Sequence, residues 1–298
     1  MYDSHYPHIQ PFLDYLKFEK RYSQHTYVSY QTDLAQFSAY LVSQFDAPAV
    51  EKITAGMIRS WMAELKEEKN TAKSINRKIS TLKSFFKFLM KQGIVAQSPL
   101  TTVVTPKISK RLPAFVAEAE ISTLFNHVEF QDSWKGRTHR LVLLVFYSTG
   151  MRLSELVGLK ESQVDASYNQ LKVLGKGNKE RIIPLHKELL TDLKQYIAEK
   201  PHRLPGIENV FVNDKGKPLY QKYVYQLVKE NLALVTTQEK KSPHILRHTF
   251  ATHLTNQGAD INAIKELLGH SSLAATQVYT HNSIEKLKEA YRKAHPKA

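Results

Sequence analysis

The chain has no cysteine. Disulfides, thiolate metal sites and cysteine nucleophiles are thereby excluded. Acidic residues are scarce: 28 Asp and Glu face 42 Lys and Arg, a formal charge of +14 over 298 residues. There is no long apolar run either. The densest, Leu141 to Phe146 (LVLLVF), is far too short to cross a bilayer. The opening residues, MYDSHYPHIQPF, lack the basic-then-apolar order of a secretory signal. No internal repeat or low-complexity tract is present. These absences predict a cytoplasmic, non-membrane protein. The charge predicts a polyanionic partner, and nucleic acid is the usual one. The length and a hydrophobic content of 42% suffice for two domains with apolar cores.

The first hundred residues carry only helical periodicity. Ile9, Phe12, Leu13 and Leu16 form one apolar stripe, and Tyr27, Tyr30, Leu34, Phe37 and Leu41 a second after a Ser23 cap. Thr54 caps a third helix with Ile58, Trp61, Met62 and Leu65 inward. Ser74 is expected to cap a fourth with Ile75, Ile79, Leu82, Phe86 and Leu89 inward and Gly93 as its stop. Four short amphipathic helices make a small bundle over residues 1–96. The fourth helix and the turn before it, KNTAKSINRKISTLKSFFKFLMK, contain no acidic residue. Solvated faces usually mix signs, so Lys69, Lys73, Arg77, Lys78, Lys83, Lys87 and Lys91 are expected to face a phosphate backbone.

Residues 97–114 hold Pro99, Pro106 and Pro113 without periodicity and read as an extended linker. Fully extended, it spans up to about 60 Å, enough to place two domains on opposite sides of a rod-like partner. A second, mostly helical domain covers residues 115–298. Its interruption, NQLKVLGKGNKERIIPL, places two β-prone segments, Leu171 to Leu174 and Arg181 to Leu185, around a Gly-rich turn, which is a hairpin signal.

The stretch SPHILRHTFATHL carries three histidines and an arginine. His244 and His248 stand four apart, the spacing of metal ligands on a helix. A hydrolytic zinc helix needs Glu directly after the first His, where this chain has Ile245. Leu246, Phe250 and Leu254 form a buried stripe, and His248 and His253 fit a packing role beside it. His244 and Arg247 share the first turn after Ser242-Pro243. Proline suits a first helical position, and the free N–H groups there favour an anion such as phosphate.

Three other positions stand out. In YSTGMRLSELVGL, Arg152 follows Gly150 at a helix start, with Glu155 placed to hold its guanidinium. In GKGNKER, Lys176 lies between glycines that allow close approach to a ligand. In LLGHSSLAATQVYTH, His270 follows a helix-ending Gly269 and Tyr279 lies nine residues on. Taken singly, an arginine at a helix start, a turn lysine and a lone tyrosine are more often structural than catalytic.

Together, and in this order, TGMRLSEL, GKGNKER, HILRHTFATHL, LLGHSS and TQVYTH resemble the tyrosine recombinases of the phage-integrase family, closest to the bacterial Xer chromosome-dimer resolvases. The resemblance spans nearly the whole chain. It implies a mainly α fold: a SAM-like four-helix DNA-binding bundle, then a mostly helical catalytic domain with a small β-hairpin. It implies a catalytic set of Arg152, Lys176, His244, Arg247, His270 and the nucleophile Tyr279, with Glu155 supporting. The implied chemistry cuts and rejoins DNA strands through a 3′-phosphotyrosyl link and a Holliday junction, with no cofactor and no metal. The implied role is resolution of chromosome dimers at a dif-like site during segregation.

Rival readings are an integrase of a mobile element, a type IB topoisomerase with similar chemistry, and a DNA-binding protein without catalysis. Arm-binding integrases often carry an extra domain, whereas this chain opens on the bundle. The implied partners are palindromic double-stranded DNA, recombinase protomers (self or paralogue) in a tetrameric synapse, and a septal DNA translocase. The tail 283–298, with Ile284, Leu287, Tyr291 and Ala294 at helical spacing, is expected to dock into a neighbouring protomer.

Overall fold

Hydroxyl caps fix where the first helices begin. The computed structural model describes residues 5–108, 114–175, 180–202 and 204–269. The chain divides into two compact units on either side of residue 111. In the first, α1 (Ile9–Asp14) runs on into a π-helical turn, Tyr15–Glu19. Ser23 then accepts from the Thr26 N–H and starts α2 (Gln24–Phe45), and Thr54 accepts from the Met57 N–H and starts α3 (Ala55–Glu67). α4 (Ala72–Lys91) begins one residue after Thr71, whose hydroxyl accepts from the Ser74 N–H. The cap of this helix is therefore Thr71, and the expected Ser74 is the residue being capped. In T-x-x-S both side chains are competent caps; the earlier one wins because Ala72 and Lys73 extend the helix.

The bundle buries an aromatic-rich core that includes Phe12, Phe37, Trp61, Phe86 and Leu89. It also buries a charge. Asp33 on α2 is wholly buried and accepts from Thr81 at 2.8 Å, from Lys78 at 3.4 Å, and from Arg77. Lys78 bonds Gln36 as well and is itself only 5% exposed. An isolated buried carboxylate is costly, and this one is offset by two cations and a hydroxyl.

The second unit is built around α6 (Trp134–Thr149), buried along its length from Leu141 to Thr149. Packed with it in one core are α5 (Glu118–Asn126), α7 (Leu153–Val157), α8 (Lys187–Ala198), α9 (Gln221–Ala233) and the start of α10 (Pro243–Asn256). An antiparallel sheet lies on this core in the order β1 (Val164–Asp165), β2 (Gln170–Leu174), β3 (Glu180–Pro184). Leu171 pairs with Ile183 and Val173 with Arg181. α11 (Ile261–Leu268) completes the described part, packed through Ile264, Leu267 and Leu268 on Phe250 and Leu254.

Two glycines make this arrangement possible. Gly150 ends α6 at φ +58°, and a Cβ there would stand 2.5 Å from Phe250. Gly269 ends α11 at φ +63°, where a Cβ would stand 3.0 Å from the Arg181 side chain. Both positions need the left-handed region that glycine enters at little cost, and both need the missing side chain.

Candidate active site

The turn after α6 delivers Arg152 to the start of α7. Its backbone N–H donates to Glu155 Oε2 at 2.6 Å and its Nη1 to Glu155 Oε1 at 2.8 Å. Arg181, reaching in from β3, approaches the same carboxylate from another side. Its Nη1 and Nη2 donate to Oε1 and Oε2, each at 2.8 Å. Glu155 thus accepts four hydrogen bonds from two arginines.

A third arginine joins from α10. Arg247 donates through Nη1 to the Gly150 carbonyl and through Nη2 to the Leu268 carbonyl, both at 2.6 Å. The last carbonyls of α11 are then each taken by a different guanidinium. Arg181 Nε holds Leu267 at 2.8 Å, Arg247 holds Leu268, and Arg152 Nη2 holds Gly269 at 3.0 Å. A helix C-terminus carries partial negative charge, so cations belong there.

The balance of charge is uneven. Three guanidinium groups surround one carboxylate, leaving two positive charges. Arg181 is 3% exposed and Arg247 5%, while the Arg152 side chain is 31% exposed and opens the cluster to solvent. Burial alone pushes the Glu155 carboxyl up, but the hydrogen bonds and charge of Arg181, then those of Arg152, outweigh it and hold it at about 2. Arg247 is pushed down to about 10, first by burial and then by repulsion from Arg152 and Arg181. Among the described residues the cluster is short of negative charge, and forked N–H donors suit a phosphate.

The histidines of α10 sort by exposure. Ser242 stands at the cap position and Pro243 at the first helical one, and His244 beside them is exposed. His248 is half-buried. His253 is 1% exposed, shares a 3.1 Å hydrogen bond with Tyr147, and meets Phe115 edge-on. Burial lowers its pKa, in keeping with a neutral packed ring. Among the described residues, no group of three or more His, Asp or Glu is placed to hold a metal ion. Lys176, His270 and Tyr279 lie outside the described residues, as does the tail 283–298.

The structure therefore brings together Arg152, Glu155 and Arg247, and adds Arg181, which by sequence is only the edge of a hairpin. A signal was available. In β3, Arg181 and Ile183 share a strand face, and Ile183 is fully buried. A charged residue in register with a core residue must find partners inside.

In the bundle, Lys69, Lys73, Lys83, Lys87 and Lys91 are exposed. Lys73, Arg77, Lys87 and Lys91 lie along one helical face of α4, with Ser80 and Ser84 between them. Arg77 is exposed but tethered, donating to Ser29 at 2.6 Å as well as to Asp33. Lys78 does not face outward. The expectation that it meets phosphate is corrected: its ammonium neutralises Asp33 inside the bundle.

Residues 114–286 match the Phage integrase family, and residues 9–93 match its N-terminal SAM-like domain. The chain is 38% identical over 317 aligned residues to tyrosine recombinase XerC of Chlorobaculum parvum, covering 97% of this chain and 94% of that one. It is 40% identical over 291 residues to tyrosine recombinase XerC of Staphylococcus saprophyticus, covering 97% of each. Among solved structures, the Tn1549 transposon integrase in complex with circular intermediate DNA superposes with a TM-score of 0.73 at 18% identity, covering 93% of this chain and 97% of that one. The XerH recombinase bound to palindromic difH substrate superposes with a TM-score of 0.70 at 23% identity, covering 95% and 83%. At such identities the superpositions speak for the fold.

Proposed function

The chain belongs to the phage integrase family and is a site-specific tyrosine recombinase, a DNA strand-transferring enzyme, and from that premise we propose that it resolves chromosome dimers in the Xer manner, with the arginine cluster as its scissile-phosphate site. The observation that carries the phosphate assignment is the surplus of two positive charges around Glu155, opening to solvent at Arg152. The likeness in sequence to relatives named XerC supports the biological role.

The reaction runs as follows. The Tyr279 hydroxyl oxygen bonds to phosphorus and gives up its proton, with His244 assisting that transfer. The bond from phosphorus to the 5′-oxygen breaks, and Lys176 donates a proton to the departing oxygen. Arg152 and Arg247 direct N–H donors at the non-bridging oxygens, where charge builds in the transition state, and His270 adds a hydrogen bond. The 3′-phosphotyrosyl link conserves the bond energy. A 5′-hydroxyl from the partner duplex then attacks it, reversing each proton step and producing first a Holliday junction and later recombinant strands.

The substrate in this reading is a dif-like palindromic duplex in the cytoplasm. Protomers, identical or paralogous, assemble as a tetramer on two such sites, and the tail 283–298 links each to its neighbour. A septal DNA translocase is the expected activator. The exposed lysines of α4 engage the backbone of the site.

The test is a nicked suicide duplex from which the 5′-hydroxyl fragment diffuses away after cleavage. Wild-type protein should leave an SDS-stable protein–DNA adduct, and Tyr279→Phe should bind the duplex without forming one. An adduct from the Phe variant would place the nucleophile on another tyrosine; no adduct from the wild type on any candidate site would remove the recombinase mechanism.

A further inference from the structure

We propose that Arg181 is a positioning residue for strand cleavage, one that aims Arg152 at the phosphate without touching DNA itself. The proposal rests on the reading of Arg152 as a phosphate ligand.

Arg152 is held by two protein groups in the described site. One is Glu155, through Nη1; the other is the Gly269 carbonyl, through Nη2. Arg181 governs both. It fixes the Glu155 carboxylate with two parallel hydrogen bonds, leaving it no freedom to rotate. Its aliphatic stem lies so near Gly269 that a Cβ there would be 3.0 Å from Arg181 Cδ. Its Nε holds the carbonyl of Leu267, two residues before Gly269. One side chain thus sets the two supports of another.

Arg181 differs from Arg152 and Arg247 in where its fork points: both Nη groups are turned in parallel onto the Glu155 carboxylate. It is 3% exposed, and all three of its nitrogens are engaged. Its own position is fixed by sheet register, since it pairs with Val173 across β2 and β3. Arginine is required by geometry. A planar fork meets both carboxylate oxygens while Nε points back to a carbonyl, and a lysine ammonium has no matching fork.

The experiment compares wild type, Arg181→Ala and Arg181→Lys on two suicide duplexes, one with a normal scissile phosphate and one with a neutral methylphosphonate. Half-site affinity is measured alongside by gel shift. On the normal phosphate, both variants should bind with unchanged affinity yet form adduct more slowly, by about 10²-fold, the scale expected when a reacting group is misplaced by an ångström. The methylphosphonate lacks the charge that Arg152 balances. On it the defect should shrink toward wild type, as it should for Arg152→Ala. Equal losses on both duplexes would make Arg181 a purely structural residue, and a wild-type rate on the normal phosphate would remove the role altogether. Should Arg181→Ala fail to fold, Arg181→Lys keeps the charge and the stem and carries the same comparison. Wild-type protein without adduct on either duplex would instead overturn the recombinase mechanism on which the proposal stands.

Discussion

Glu155 holds Arg152 twice, by the backbone N–H at 2.6 Å and by the guanidinium at 2.8 Å. One carboxylate therefore fixes both the path of the chain into α7 and the direction of the side chain. Replacing it by the neutral Glu155→Gln leaves three guanidinium groups without a counter-charge and turns an amide N–H₂ toward donors. Removing one partner of a buried ion pair typically costs about 3–5 kcal/mol. Urea unfolding should show a loss of that order, and adduct formation on the suicide duplex should fall with it.

Acid should act through the same group. The Glu155 carboxyl sits at about 2 in the fold against an ordinary 4.5. A depressed carboxyl contributes stability that is fully present above its unfolded pKa and is lost as pH falls toward the folded one. The window is therefore pH 4.5 down to about 2, and the contribution is about 3 kcal/mol. Unfolding free energies measured across that window should drop more for wild type than for Glu155→Gln. Parallel slopes would show that the carboxylate is not what acid attacks.

Gly150→Ala should couple a backbone fault to the site. The new Cβ meets Phe250 at 2.5 Å and Leu268 at 2.9 Å, at a φ of +58°. The carbonyl of the same residue accepts from Arg247. Left-handed strain plus overpacking should destabilise by about 2–4 kcal/mol. Adduct formation should fall even at temperatures where the variant remains folded, as read by circular dichroism.

On the bundle, cations of α4 should separate into two behaviours. Lys73→Glu with Lys87→Glu reverses exposed charge; it should weaken duplex binding and flatten the salt dependence, which runs near 0.9 log unit per phosphate contact. Lys78→Met should leave the salt slope alone and lower stability by about 2–4 kcal/mol, because Asp33 loses a buried partner. A flattened slope in Lys78→Met would put that lysine back on the surface.

Lys176→Ala should cleave an ordinary duplex about 10²–10⁴-fold more slowly, the usual contribution of a general acid. A duplex with sulfur at the 5′-bridging position has a leaving group that needs no proton, and its cleavage should be largely restored. The same deficit on both duplexes would assign Lys176 to binding.

The helices were legible because their signals are local. Ser23 and Thr54 cap where a short polar side chain precedes an apolar period, and the stripe of α4 follows Ile75, Ile79, Leu82, Phe86 and Leu89 inward. What escaped was of another kind. The π turn at Tyr15–Glu19 adds a residue to a helix whose apolar spacing still reads as α. β1 has two residues, too few to show an alternation. At Lys78 charge and position point different ways. It stands three after Ile75 and four before Leu82, on the inward face, and an inward lysine implies a buried acid elsewhere. Arg181 is the same case in a strand, a charge in register with the buried Ile183. Of the candidate site, Arg152 and Arg247 were marked by motif, but the clamp that joins them runs through carbonyls of α11, and backbone acceptors leave no trace in residue identity.

Among the described residues, the two larger cores share none. One closes with Val103 and the other opens with Val116, each with its own aromatic centre. The exposed lysines of α4 and the arginine cluster therefore rest on separate packing. A side chain trimmed in one of these cores takes no packing partner from the other.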